Sequence, residues 1–135
     1  MKEVILLDKF IIEAKGGNHN RAQARVKCKD QSQIAVIKYQ GEEYTGYVAD
    51  LNNDYIGLVL ANDIRLDKLA PLTKLEARIT LYDTQYSISG PLLLPPRKME
   101  DNRTIFVIRY AKNTAEEVLE KLHRFIHVCK LTLVV

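Results

Sequence analysis

The sequence predicts a mainly β fold: a small antiparallel barrel or sandwich of short strands, followed by one amphipathic helix. Three observations predict it. From Ala24 to Tyr110, apolar and polar residues alternate in short runs, the period of a half-buried strand. Turn residues interrupt those runs at even spacing, as in compact all-β domains of about six strands. From Thr114 the apolar period lengthens to that of a helix.

Size and composition agree with one domain. The chain has 135 residues, 47% of them apolar, and a domain of that length buries roughly two-thirds of its unfolded surface. Net charge is +3, from 20 Lys+Arg against 17 Asp+Glu. That balance is too mild for a duplex-binding surface but suits a small anionic ligand. The two cysteines, Cys28 and Cys129, read as free thiols in the core of a protein kept in a reducing compartment. The opening "MKEVILLDKFIIEAK" breaks its apolar run at Asp8 and Lys9, with no cleavage site after it. No apolar run reaches the ~20 residues of a membrane span. A cytoplasmic location is expected.

The elements follow in order. Val4, Leu7, Ile11 and Ala14 fit a helix face, but the β-branched content of residues 4–14 fits a strand as well. Residues 15–21 form a loop rich in Gly and Asn. Ala24, Val26 and Cys28 alternate with Arg25, Lys27 and Lys29 in a strand, and "IAVIKY" is a second. "GEE" turns the chain into "YTGYVADL", and "NND" separates that strand from "YIGLVLA". "LAPLTKL" is a turn, and "LEARITLY" alternates cleanly after it. "TQYSISGPLLLPP" is a strand ended by prolines, "RKMEDNR" a charged loop and "TIFVIRY" a further strand.

The helix is expected over about 114–129, opened by a capping box of Thr114 and Glu117. Val118, Leu119, Leu122, Phe125, Ile126 and Cys129 form its apolar face, which would cover the barrel or serve a homo-oligomer. "KLTLVV" reads as a short final strand. Residues 1–17 are set apart as an apolar segment and loop, and residues 18–135 form the domain.

Catalytic signatures are missing from the sequence. It has no G-x-S-x-G elbow, Walker loop or dinucleotide fingerprint. His123 and His127 stand four apart, at zinc-ligand spacing, but lie off the apolar face with no acidic or cysteine partner at a motif distance. They read as solvated histidines near a helix C-terminus, where positive charge is favourable. No catalytic residue, metal ligand or cofactor is expected.

Two stretches point to a ligand. Arg21 and Arg25 stand four apart before and at the start of a strand, and an arginine fork suits phosphate or a guanine edge. In "VADLNNDYIGLVL", Asp50 and Asn52 are two apart and would share a face of extended backbone. A carboxylate accepts from the guanine N1 and N2 donors, and Asn offers a donor and an acceptor. The same Asn-Asn-Asp is also good hairpin chemistry.

Together these features resemble the PilZ domain over about residues 18–128. That family pairs R-x-x-x-R with [D/N]-x-S-x-x-G. The first motif is Arg21-Ala22-Gln23-Ala24-Arg25, with Asn20 where an arginine often precedes it. The second is altered: Asp50 matches, Asn52 replaces Ser and Tyr55 replaces Gly. A shifted register that recovers Gly57 puts Asp54 at the Ser position, where it would repel a phosphate, so the first register is preferred. The resemblance implies a six-stranded split barrel with a C-terminal helix. It also implies a bacterial receptor or adaptor for cyclic di-GMP. Arg21 and Arg25 would grip phosphate and guanine, Asp50 and Asn52 would read a guanine edge, and an unidentified effector protein would receive the signal.

Two alternatives remain. The altered motif could belong to a PilZ-like interaction module of motility, pilus or exopolysaccharide machinery that binds no nucleotide. A small barrel for single-stranded nucleic acid would use Tyr39, Tyr44, Tyr47 and Tyr55 as stacking rings, but acidic "GEEY" counts against it.

Overall fold

A computed structural model of the chain describes residues 9–13, 25–61, 66 and 69–133. The strands are β1 (Phe10–Glu13), β2 (Arg25–Cys28), β3 (Ile34–Tyr39), β4 (Glu42–Leu51), β5 (Tyr55–Ala61), β6 (Lys74–Leu81), β7 (Thr84–Pro91), β8 (Arg97–Lys98) and β9 (Arg103–Arg109). One helix, α1, follows over Glu116–Leu133. The fold is mainly β and antiparallel with a C-terminal helix, as the sequence predicts.

The sheet runs in the order β7-β6-β3-β4-β5-β9-β8. Hairpin turns set its registers. Gln40 and Gly41 both take positive φ, the geometry that matches a two-residue turn to strand twist. The turn therefore falls one residue earlier than "GEE", and Glu42 and Glu43 already belong to β4. Tyr82, also at positive φ, and Asp83 form the two-residue turn that joins β6 to β7.

β4 is the long member, and it pairs with three strands. One edge carries β3 along residues 42–47 and then β2 at Leu51 and Asp50. The other edge carries β5, with a bulge between Val48 and Asp50. A bulge bends its strand and raises the local twist, which lets β4 change partners along one edge.

Alternation turns one side of most strands inward, while β5 is buried continuously from Ile56 to Leu60 and β8 is exposed. Ile37, Val48, Ile56, Leu58, Leu75, Ile79, Ile88, Phe106 and Ile108 are buried in one core. The expected barrel is not closed: the ladder stays open between β7 and β9. Their ends meet instead at a single bridge, Leu92 with Ile108, and at Leu93 N–H donating to Val107 O at 2.8 Å.

α1 lies with Leu122, Ile126 and Cys129 buried and with Val118, Leu119 and Phe125 packed beside them. Phe10 of β1 is fully buried and meets the rings of Tyr82 and Phe125 edge-on, with centroids at 5.6 and 5.3 Å. β1 pairs with β2 from Phe10↔Cys28 to Glu13↔Arg25. Residues 10–13, set apart in the sequence reading, thus share the core, and of the two readings open for them the strand is found.

Three local expectations change. Thr114 does not cap the helix: Ala115 O accepts the N–H groups of Val118 and Leu119. The Thr114 hydroxyl instead accepts from Ser89 N–H and donates to Ser89 O, pinning the helix start to β7. Residues 130–133 of "KLTLVV" are not a strand, because the helix runs on through Leu133. The charged loop "RKMEDNR" contains β8, whose two residues pair with Ile105 and Thr104. The readings of residues 4–8, 14–21 and 134–135 lie outside the described residues.

Two predictions follow from this packing. A Cβ on Gly90 would stand 2.0 Å from Arg109 O, a backbone atom that cannot swing away. Gly90→Ala should destabilise the protein by about 2 kcal/mol or more, read as a lower urea midpoint; an unchanged midpoint would show that the β7–β9 contact can part freely. Asp30 accepts from the hydroxyl and N–H of Ser32 and from Lys9, which hold its carboxyl down at about 2. Its contribution to stability is present above about pH 4 and is lost as pH falls through the folded-state value. In an NMR titration Ser32→Ala should move the Asp30 midpoint upward.

Candidate functional site

β2 positions the first side chains. Its alternation buries Val26 and Cys28 and turns Arg25 and Lys27 outward. The pairing Lys27↔Asp50 places Asp50 of β4 on that same outer face. Arg25 is the diagonal neighbour, and its Nη1 lies 3.2 Å from Asp50 Oδ2. The pair is partly exposed, with 34% and 25% of the two side chains accessible, so it contributes about 0–1 kcal/mol to stability. Glu13 of β1 lies opposite Arg25 and pairs with Lys27 Nζ at 3.5 Å. Two cations and two carboxylates thus alternate across three strands.

On its other side Asp50 faces Gly57 of β5. A Cβ on Gly57 would stand 2.7 Å from Asp50 Oδ1. The missing side chain leaves a trough, and the carboxylate lies in it. Gly57 in turn faces Val107 of β9, and Tyr55, two residues before Gly57 on the same face, is opposite Arg109. An outer surface therefore runs across four strands with Arg25, Lys27, Asp50, Tyr55 and Arg109 around a glycine. It offers cations for phosphate, a carboxylate for N–H donors and a ring for stacking.

Asn52 does other work than its neighbour. β4 ends at Leu51, so Asn52 opens a turn rather than extending the face of Asp50. Its Oδ1 accepts from the N–H groups of Asp54 and Tyr55 at 2.9 and 2.8 Å. Its own N–H donates to Tyr55 O at 2.9 Å. The side-chain oxygen is spent on the turn, which leaves the amide NH2 as the donor toward a ligand.

The turn is held from below. The Tyr110 hydroxyl donates to Asn52 O, and Tyr110 N–H donates to Asp54 O at 3.0 Å. Burial, and then the Asp54 carboxylate, push the Tyr110 phenol upward, so it remains a donor. His123 of α1 places Nε2 2.9 Å from Asn53 O; that is a turn contact where the sequence suggested only solvent. Cys28, beneath Arg25 and Lys27 on β2, has its thiol pushed up to about 12 by burial first and then by Asp50, Asp30 and Cys129. Cys129 is raised to about 12 by burial. Both thiols are free, and neither is a thiolate nucleophile at neutral pH. Among the described residues no group of three His, Cys, Asp or Glu could hold a metal ion. No helix among them is long and apolar enough to cross a membrane.

Of the four residues singled out in the sequence, the fold brings Arg25 and Asp50 together, with Asn52 at the adjacent turn. Arg21 lies outside the described residues. Lys27 and Arg109 were missed as members of this face, and Gly57 was weighed only as the glycine of the motif register that was set aside. The signal for Lys27 was present, since the β2 alternation puts it beside Arg25; Gly57 and Arg109 needed the β4–β5 and β5–β9 registers.

No protein-family model and no curated protein sequence matches the chain. Among solved structures, the Bacillus subtilis inhibitor of motility MotI/DgrA superposes with a TM-score of 0.57 at 13% identity, over 84% of this chain. The match spans 56% of the length of that protein. The Borreliella burgdorferi PlzA protein, solved in complex with c-di-GMP, gives a TM-score of 0.47 at 11% identity, over 73% of this chain and 44% of its own. The first likeness shows a shared fold.

Gly57→Ala separates site from scaffold. The atom its Cβ would meet is the movable end of a side chain, so stability should change by no more than about 1 kcal/mol. The Asp50 carboxylate must leave the trough, and the Arg25 guanidinium resonances should shift. A large loss of stability with Arg25 undisturbed would mean that Gly57 serves packing alone.

Proposed function

We propose that this chain is a receptor that binds cyclic di-GMP on the outer face formed by β2, β4 and β5, and that signals the bound state to a protein partner. The observation that carries the reading is the convergence of Arg25 and Asp50 at 3.2 Å beside the Gly57 trough. The motif order along the chain and the fold shared with a motility inhibitor support it.

The roles follow from the chemistry. Arg25 contacts Asp50 through one nitrogen, and a phosphate would engage its fork bidentately. Asp50 would then accept from guanine N1–H and N2–H, a pattern that adenine does not present. The Asn52 NH2 would donate to the ligand while its oxygen keeps the turn. Arg21, four residues before Arg25, would add a second guanidinium. The Tyr55 ring, at the position where the family motif has glycine, would offer a face for stacking.

Isothermal titration tests the reading, with cyclic di-AMP and GMP as controls. Cyclic di-GMP should bind at micromolar or tighter affinity. Arg25→Ala should weaken it by roughly tenfold to a hundredfold, the range for losing a charged hydrogen-bond partner. Asp50→Asn should erode the preference for cyclic di-GMP over cyclic di-AMP more than it erodes affinity for either. Absence of heat at several temperatures, with an unchanged melting midpoint in excess ligand, would leave a fold that works through protein contact alone.

A further inference from the structure

A groove of about 980 Å³ lies between the β6–β7 turn and α1. It shares no residue with the Arg25–Asp50 face. Tyr82 and Phe125 line its apolar side, with centroids 6.3 Å apart and edge-on to each other. Both also pack on the buried Phe10, so this floor is rigid. Lys121 and Arg124 of α1 also line the groove, and neither has a hydrogen-bond or ion-pair partner among the described residues. Of the other charged lining residues, Lys9 pairs with Asp30 and Asp83 accepts from the Thr84 hydroxyl, so cations outnumber carboxylates three to one along the wall.

The groove continues along the helix. Lys121, Arg124, Val128 and Leu131 are spaced three, four and three residues apart, which places them on one helical stripe. Val128 is 43% and Leu131 65% exposed. After Glu117 in the helix's first turn, the stripe is cationic at Lys121 and Arg124 and apolar at Val128 and Leu131, and it faces outward from a helix whose other side is already buried.

We infer that this groove and stripe dock an acidic amphipathic helix of a partner protein. Apolar residues at i, i+3 or i+4 and i+7 of that helix would fill the space over Phe125 and Val128. Its carboxylates would meet Lys121 and Arg124. A second copy of this chain fits less well. An isologous contact brings the same patch to itself, so two cationic rims would share one interface.

The inference does not rest on nucleotide binding, and it is tested without nucleotide. Two synthetic peptides share one leucine register, one flanked by Glu and the other by Lys. Each is titrated into the full chain by fluorescence anisotropy at low and high salt, with the contact surface mapped by NMR. The Glu peptide should bind, weaken with salt and shift Phe125, Val128 and Leu131. The paired change Lys121→Glu with Arg124→Glu should reverse the preference by roughly tenfold. Val128→Asp should abolish binding with the melting midpoint unchanged, since that side chain is exposed. Equal binding of the two peptides, no binding, or shifts elsewhere would overturn the proposal. So would a dimer in sedimentation that Val128→Asp dissolves, which makes the occupant a second copy. Binding only after Val4→Glu and Leu7→Glu would overturn it too, because the occupant would then be the chain's own opening segment.

Discussion

Tyr110 is the residue through which the sheet, the candidate site and the helix are joined. It is the largest of the fully buried side chains, and it stands where β9 gives way to the helix. Its hydroxyl and its N–H both reach the β4–β5 turn, at Asn52 and Asp54. Its carbonyl accepts from the N–H groups of Asn113 and Thr114, which shape the approach to α1. A buried phenol without a partner would cost about 1–3 kcal/mol, so the turn and the ring require each other. Because the phenol is pushed upward by burial, this junction does not titrate near neutral pH.

The outer face depends on that junction together with strand alternation. Alternation alone decides that Arg25 and Lys27 point out while Val26 and Cys28 point in. It does not decide which strand lies alongside. The bulge after Val48 does that, because it lets β4 leave β3 and take up β2 with Asp50 opposite Lys27. The turn held by Tyr110 then fixes β5 so that Gly57, and no larger residue, faces Asp50. Removing a single side chain at that point makes room for a carboxylate that two neighbouring cations can reach.

Much of this was legible in the sequence because it depends on local period. The runs that alternate became β2 through β7 and β9, and the six apolar positions of the helix became its buried side. Long-range partnership was not legible. Thr114 and Glu117 satisfy a capping pattern, yet Thr114 finds the Ser89 backbone of β7 within reach, and that buried exchange outweighs a cap. Residues 130–133 carry strand-like side chains, but they continue the helix that precedes them. Asn52 was read both as a turn residue and as a ligand contact, and its oxygen serves the turn. Arg25 and Asp50 were found as types suited to a ligand, while their meeting depended on a register that no local pattern states.

The helix connects the two surfaces. His123 touches the site turn at Asn53 O, while Arg124 and Phe125, the next residues along, line the groove. A helix transmits displacement as a rigid body, and its start is pinned to β7 by Thr114. A ligand can bias such a displacement only by contacting its two positions unequally. Asp50 and Asn52 bracket Leu51, whose side chain is buried, so a ligand that pulled on both would load the end of β4 and the turn together. Adjacent residues of one helix therefore touch the site turn, at His123, and line the groove, at Arg124 and Phe125.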